Sequence, residues 1–433
     1  MRLVRMLSSI LVAALLLGLL VAPPADAAET GRVVAIGDIH GSYDGFTKIL
    51  LAAGLIDAEN RWAGGRSTLV QTGDFTDRGD GVRAVMDLLM SLQKEARKAK
   101  GEVIVLMGNH EMWSLMQNNT DIIFNPAIYA SFSDSGSEAR RQEAFEAWKK
   151  WRKAQPAPSE EPATVAESGL QNPMIEDPAA PEAPTTPQQS VSPRSFEQEQ
   201  ADWLARHPPG FVEYHEAMAP DGEYGRWIRK SKVMTKVAGT VFLHGGISER
   251  WSILGIDDVN RVHMQEIASH DQARRALVKA GIILPFFTWG ETVEAVNREI
   301  ASPRNSRSLA IARESLDRLG RFLGLTGTED APLWFRGFAM PPHGLPDAAL
   351  VPLREALTSI HGAEHFVSAH SPFNGGDILV RLDGAFFLID TGMLSTAYPG
   401  GRPSALEFSD GKFFAIYENE RKLLLPADMA AAP

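Results

Sequence analysis

The chain has no cysteine among its 433 residues. That excludes disulfides, thiolate nucleophiles, iron–sulfur clusters and cysteine-based zinc sites. It also excludes a lipid-anchored lipoprotein, which needs a cysteine to carry the lipid. A basic surplus is missing as well. The net charge is −11, so the electrostatic footprint of a nucleic-acid binder is absent. An acidic chain can still hold phosphate where metal ions and arginines reverse the local field. Long apolar runs are confined to the start. Arg2 and Arg5 precede the apolar stretch Leu7 to Ala22, and Ala25-Asp26-Ala27 reads as a small-x-small cleavage site. A run of about 16 residues is short for a bilayer span, and Pro23-Pro24 ends it. The expectation is a signal peptide over 1–27, with an uncleaved anchor as the alternative. The mature protein is then exported, periplasmic or secreted, with no stable membrane insertion.

The remaining length is enough for one to three domains. Three apolar strand patterns, Arg32 to Ile36, Ser67 to Thr72 and Glu102 to Met107, alternate with two helical ones. The first helix, Tyr43 to Gly54, carries Phe46, Ile49 and Leu50 on one face. The second, Gly81 to Lys100, carries Val82, Val85, Met86, Leu89 and Leu92. Strand–helix alternation of this kind predicts a parallel sheet with right-handed crossovers. From 154 to 200 the pattern disappears. Nine prolines lie there among Ala, Glu, Ser and Gln, a composition that cannot bury enough apolar surface to offset chain entropy. The expectation is a disordered insertion, flanked by helices at Ser137 to Lys153 and Phe196 to Arg206. Beyond it, Lys236 to Leu243 and His365 to Ala369 read as strands, and Asp258 to Ala280 and Ser306 to Leu323 as helices. Ile378 to Leu382, Ala385 to Ile389 and Lys412 to Tyr417 read as antiparallel strands, with Asp383-Gly384 as a two-residue hairpin turn. The fold class is α/β, a two-layered mixed β-sheet sandwich flanked by helices.

Polar motifs follow the strands. Gly37-Asp38-Ile39-His40-Gly41, Gly73-Asp74-Phe75-Thr76-Asp77-Arg78-Gly79 and Gly108-Asn109-His110-Glu111 come after the first three. Open α/β sheets place ligands at that carboxyl edge. At an extended strand end, residues i and i+2 point the same way, so Asp38 and His40 form a candidate ligand pair. Asp74 brings a carboxylate that can bridge two ions, and Asn109 brings an amide oxygen. His244 and His370 bring imidazoles from later strand ends. Oxygen and nitrogen donors without thiolate suit Mn, Fe or Zn. Two sets sharing Asp74 would hold two divalent ions about 3.5–4 Å apart, the spacing used for in-line displacement at phosphorus.

Taken together, these motifs resemble the calcineurin-like metallophosphoesterases, and within them the phosphoprotein phosphatase branch. His244-Gly245-Gly246-Ile247-Ser248, Pro332-Leu333-Trp334-Phe335-Arg336-Gly337 and Ile389-Asp390-Thr391-Gly392-Met393 resemble the Shewanella-like phosphatases. The resemblance covers Arg32 to about Leu115 and Trp227 to about Tyr417, and implies one metallophosphoesterase domain over 30–425 around the insertion. It implies that Asp38, His40 and Asp74 hold one metal, and that Asp74, Asn109, His244 and His370 hold the other. Arg78 and Arg336 would clamp phosphate oxygens, and His110 would be the general acid, oriented by Asp77. The implied enzyme is a hydrolase of phosphoprotein or phosphopeptide, on Ser/Thr or Tyr phosphate, using a metal-bridging hydroxide and working as a monomer. Alternatives are a hydrolase of small phosphoesters such as dinucleoside polyphosphates, or a non-catalytic metal-bearing module. Phe75-Thr76 and Ser42 depart from the eukaryotic pattern of Tyr-Val and Gln and leave substrate preference open. Trp113, Tyr224, Arg226 and Trp227 are candidates for shaping the substrate groove.

Overall fold

The computed structural model describes residues 31–117, 125–155, 195–373 and 375–426. The chain first alternates strand and helix: β1 (Val33–Ile36), α1 (Tyr43–Ala52), β2 (Thr68–Gln71), α2 (Val82–Lys98), β3 (Glu102–Val105) and α3 (Asn109–Met116). Helices α4 (Ala127–Phe132), α5 (Ser137–Lys153), α6 (Phe196–Arg206), α7 (Phe211–Met218) and α8 (Glu223–Ile228) follow. Then come β4 (Met234–Val237), β5 (Thr240–Leu243), α9 (Ile256–Lys279), α10 (Trp289–Ala301), α11 (Ser306–Thr326) and α12 (Asp347–His361). The last elements are β6 (His365–Ser368), β7 (Leu379–Arg381), β8 (Phe386–Leu388), β9 (Ala405–Ser409), β10 (Lys412–Tyr417) and β11 (Glu420–Leu425).

These strands make two sheets, ordered β11-β10-β9-β1-β2-β3 and β4-β5-β6-β8-β7. β1, β2 and β3 run parallel, Val33 opposite Thr68 and Thr68 opposite Glu102, because the apolar faces of α1 and α2 need a crossover on one side of the sheet. Strand periodicity then divides the side chains. Val34 and Ile36 join the core under α1 and α2, with Phe46, Leu50, Val85 and Leu89. Val33, Ala35 and Val70 turn the other way and meet Phe242, Val367 and Phe387 of the second sheet. Phe413 of β10 stacks on Phe387 of β8 at 4.3 Å between ring centres, and each such fully buried ring contributes about 1.5–3 kcal/mol. The expected two-layered sandwich flanked by helices is the observed architecture.

Several local expectations change. Lys236 to Leu243, expected as one strand, is the hairpin β4–β5. Ala238 at φ 48 and Gly239 at φ 80 make its turn, a left-handed pair that fits the twist of a tight hairpin. β7 and β8 do pair antiparallel. Their connection is longer than two residues, however, since Leu382, Asp383 and Gly384 all take positive φ. Helices α4, α7, α8, α10 and α12 and strands β9 and β11 were not anticipated. Helices α5 and α6 stand where the sequence places them, and Phe196 to Gln200, inside the expected insertion, are the first turns of α6. Residues 156–194 and the expected signal peptide lie outside the described residues. No helix among the described residues is long and apolar enough to cross a membrane.

The end of α8 is tied to α9 by a largely buried ion pair. Arg229 Nε and Nη2 donate to the two Asp271 oxygens at 2.8 and 2.9 Å. Burial alone would raise the Asp271 pKa, but hydrogen bonds from His270 and Arg229 bring it down from 3.8 to about 2. The folded pKa is depressed, so this contribution is present above about pH 4 and is lost as pH falls through 2. Asp271→Ala should lower stability by about 3 kcal/mol near neutrality, read from the urea midpoint. The difference from wild type should shrink in titrations between pH 4 and 2.

Candidate active site

The chain leaves β1, β2, β3, β5 and β6 into loops that meet at one pocket. Several of the loop residues take left-handed backbone: His40 at φ 46, Asp74 at 56, Asp77 at 65, Arg78 at 67 and His370 at 68. Such conformations cost energy in residues with a Cβ and persist where the surroundings over-determine them. Here backbone bonds do so. Ile39 N and His40 N both donate to Asp74 O at 2.9 Å, and Gly79 N donates to His40 O at 2.9 Å. Glycine is required where the loops touch. Gly73 sits at φ 102, and a Cβ there would collide with the Gly108 backbone. A Cβ on Gly108 would in turn strike the Asp74 carboxylate.

Glu111 locks these loops from beneath. It is fully buried, and Oε2 accepts from Asp74 N at 2.7 Å and Gly108 N at 2.8 Å. Oε1 accepts from Phe75 N and Thr76 N at 3.0 Å and from Thr76 Oγ1 at 2.9 Å. Burial, with the Asp74 charge second, pushes its pKa up to about 7 against the backbone donors of Gly108, Thr76 and Asp74. Glu111 appears in the third motif, but its role is a tertiary one that sequence reading did not assign.

The six expected ligand residues converge. Asp38, His40, Asp74, Asn109, His244 and His370 are all at most 5% exposed. His40 Nδ1 meets Thr76 O at 3.0 Å and His244 Nδ1 meets Thr72 O at 3.1 Å. Carbonyls accept, so both rings carry a proton on Nδ1 and turn Nε2 toward the pocket. His40 Nε2 lies 3.9 Å from Asp38 Oδ2 and 3.8 Å from Asp74 Oδ2. His244 Nε2 lies 2.9 Å from Asn109 Oδ1 and 3.2 Å from Asp74 Oδ2. Burial alone would lower the His244 pKa, but the Asp74 charge and hydrogen bond raise it. His370 Nε2 is buried with no hydrogen-bond partner among the described residues. Ligand atoms fall into two close groups, His40–Asp74–His110 and Asp74–His244–His370, which share Asp74. Converging lone pairs with an orphaned imidazole nitrogen fit divalent cations. The Asp38 carboxyl is pushed well above its ordinary range, first by burial and then by the Asp390 and Asp74 charges.

Facing solvent, the pocket is lined by Asp38, His40, Asp74, Arg78, Asn109, His110, Arg336 and His370, with Trp113, Trp334 and Tyr398 around them. His244 lies behind this lining, fully buried. His110 Nδ1 donates to Asp77 Oδ2 at 2.9 Å, and its Nε2 faces Arg78 Nη2 at 3.3 Å. Burial holds the His110 pKa well below the imidazole value, against the Asp74 charge. Arg336 Nη1 donates to His370 O at 2.7 Å and Ser371 Oγ at 3.1 Å. Tyr398, which no sequence motif singled out, lies under the Arg78 guanidinium and beside the His40 ring. Of the groove candidates, Trp113 lines the pocket and Arg226 is exposed. Tyr224 and Trp227 are structural: Tyr224 donates to Asp87 at 2.6 Å and Trp227 Nε1 to Gln93 at 2.9 Å.

Residues 31–161 match the family model described as Calcineurin-like phosphoesterase. Shewanella-like protein phosphatase 2 of Arabidopsis thaliana is 28% identical over 230 residues, 53% of this chain and 50% of that protein. Shewanella-like protein phosphatase 1 of Plasmodium berghei (strain Anka) is 44% identical over 85 residues, 20% of this chain and 24% of its own length. The chain thus spans half or less of these curated relatives. The crystal structure of a cold-active protein-tyrosine phosphatase of a psychrophilic Shewanella species superposes with a TM-score of 0.52 at 19% identity. It covers 91% of this chain and 80% of its own, a likeness of fold.

Glu111→Gln puts an amide NH₂ against backbone donors in a buried cage. It should cost about 1–3 kcal/mol, measured by thermal unfolding of chelator-treated protein, and should loosen the Asp74 loop.

Proposed function

We propose that the chain, whose residues 31–161 match the calcineurin-like phosphoesterase model, is a hydrolase that removes phosphate from phosphoproteins or phosphopeptides, with two divalent cations in the pocket. The observation that carries this reading is the convergence of buried donor atoms on Asp74 in two groups, His110 belonging to the first, with Arg78 and Arg336 at the mouth. Support also comes from the relatives, which are named protein phosphatases, and from the tyrosine phosphatase of like fold. Phosphate on Ser, Thr or Tyr is within its scope.

Asp38, His40 and Asp74 would hold one cation, and Asp74, Asn109, His244 and His370 the other. Mn, Fe and Zn suit these donors. Such a pair supplies neutralisation of phosphoryl charge and activation of the attacking water for in-line displacement. The chain's own groups do the rest. Arg78 and Arg336 bind the non-bridging phosphate oxygens, a task that suits the planar guanidinium. His110 would hand a proton to the leaving oxygen from Nε2 once that nitrogen, which faces the Arg78 Nη2 donor here, is protonated. Asp77, on Nδ1, fixes the ring and stabilises its protonated form. Trp113 and Trp334, 4.9 Å apart between ring centres, wall the pocket on one side. The reading includes export, with cleavage after Ala27; the first residue of the mature protein, read by N-terminal sequencing, checks it.

Chelation followed by separate return of Mn, Fe and Zn, assayed on phosphopeptides and on dinucleoside polyphosphates, tests the reading. Restored phosphopeptide hydrolysis is expected; inactivity with all three metals would refute it, and activity on the nucleotides alone would shift the substrate class. General acid catalysis is typically worth ~10²–10⁴-fold. His110→Ala should therefore slow phosphoserine peptide hydrolysis by about that factor and p-nitrophenyl phosphate hydrolysis far less, since that leaving group needs little protonation. Equal losses on both substrates would remove His110 from the acid role.

A further inference from the structure

We infer that Asp390 is a positioning residue for the cation pocket, its carboxylate holding Asp38 in the orientation that a divalent cation requires. The inference rests on the dinuclear reading above and extends it to a residue outside the ligand set.

The placement follows from strand register. β6 and β8 run parallel with Ser368 opposite Leu388. Two residues past each of these, the chain carries His370 and Asp390, leaving neighbouring strands at one edge. β1 ends at the same point, from the other sheet: a Cβ on Gly37 would sit 2.5 Å from Ile389 O. The same Cβ position is 3.3 Å from Asp390 Cα, so the next residue, Asp38, is brought against Asp390. Asp390 Oδ2 is buried with no hydrogen-bond partner among the described residues, and burial together with the Asp390 charge pushes the Asp38 carboxyl up. Each carboxyl is also held by a backbone amide. Gly392 N donates to Asp390 Oδ1 at 3.1 Å, and His370 N donates to Asp38 Oδ1 at 3.2 Å. Asp390 is 3% exposed and is not part of the pocket lining, so it acts through Asp38 and not on substrate.

Two acidic side chains in contact inside a protein repel unless a proton or a cation intervenes. Set behind a metal ligand, the second carboxylate orients the first and strengthens its hold on the ion. Asp390 is therefore unfavourable, or neutral at best, in the metal-free protein, and favourable in the loaded one. A merely structural residue would contribute equally to both.

Asp390→Asn separates these cases. The full chain is stripped with chelator and titrated with Mn²⁺ alone in competition with a chelating dye, with metal content read by mass spectrometry. The expected result is Mn²⁺ affinity weaker by ~10–100-fold with a stripped-protein Tm equal to or above wild type. Unchanged affinity overturns the inference, as does a stripped Tm that falls along with affinity. If D390N does not fold, Asp390→Ser, which can still accept from Gly392 N, takes its place; failure of both to fold also overturns it. A wild type that takes up no Mn²⁺ removes the metal reading and this one together, whereas a wild type that binds alongside an unaltered D390N removes this one alone.

Discussion

Five carboxylates, those of Asp38, Asp74, Asp77, Glu111 and Asp390, are buried around one pocket, each at most 5% exposed. Charges removed from water are costly, and they are tolerated only when paired, hydrogen-bonded or neutralised. Arg78 and Arg336 are the cationic side chains lining the pocket, too few to offset five acids. Each carboxylate is handled differently. Glu111 is surrounded by backbone donors, Asp77 accepts a hydrogen bond from His110 Nδ1, and Asp38 and Asp390 lie against each other. Asp74 is placed where three histidine nitrogens converge on one oxygen. The rest of the molecule holds these groups at distances they would not choose in water.

That task explains the backbone. A loop free to relax would separate the acids. Instead, left-handed residues, glycines without room for a Cβ and the Glu111 cage make the loops after β1, β2 and β3 a single rigid piece. α3, which carries Asn109, His110 and Glu111, is anchored at its far end as well. Gln117 follows it in left-handed backbone and accepts from Trp289 N at 2.9 Å. Arg274 of α9 reaches both Gln117 and Phe287 O. Helices from the second half of the chain thus hold in place a helix from the first, and with it Asn109 and His110. Pre-organisation of this kind keeps catalytic groups within the narrow geometric tolerance that chemistry needs.

The two sheets contribute for a similar reason. Their facing surfaces are apolar and alternate with outward residues, so neither sheet is stable without the other. Packing them brings the ends of β1 and β2 against those of β5, β6 and β8. His244 and His370 therefore reach Asp74 from across the sandwich, from 170 and 296 residues further along the chain. The pocket lies at the junction of the two sheets, and the residues proposed as its ligands come together only when both are docked.

Much of this was legible beforehand. The apolar periodicity of Val33 to Ile36, Phe46 to Leu50 and Val82 to Leu92 determines the strands and helices they form, because local burial decides such elements. The polar residues following each strand, Asp38, His40, Asp74 and Asn109, announce a ligand edge because a parallel sheet brings its carboxyl ends together. What the sequence could not reveal is anything set by approach in space. That Glu111 braces three loops, that Asp390 meets Asp38 and that Tyr398 lies under Arg78 depends on register and on docking between sheets. So does the division of Lys236 to Leu243 into a hairpin, where an Ala-Gly turn carries little local signal. Local pattern specified which residues were available, and the packing of one sheet on the other decided which of them share a charge.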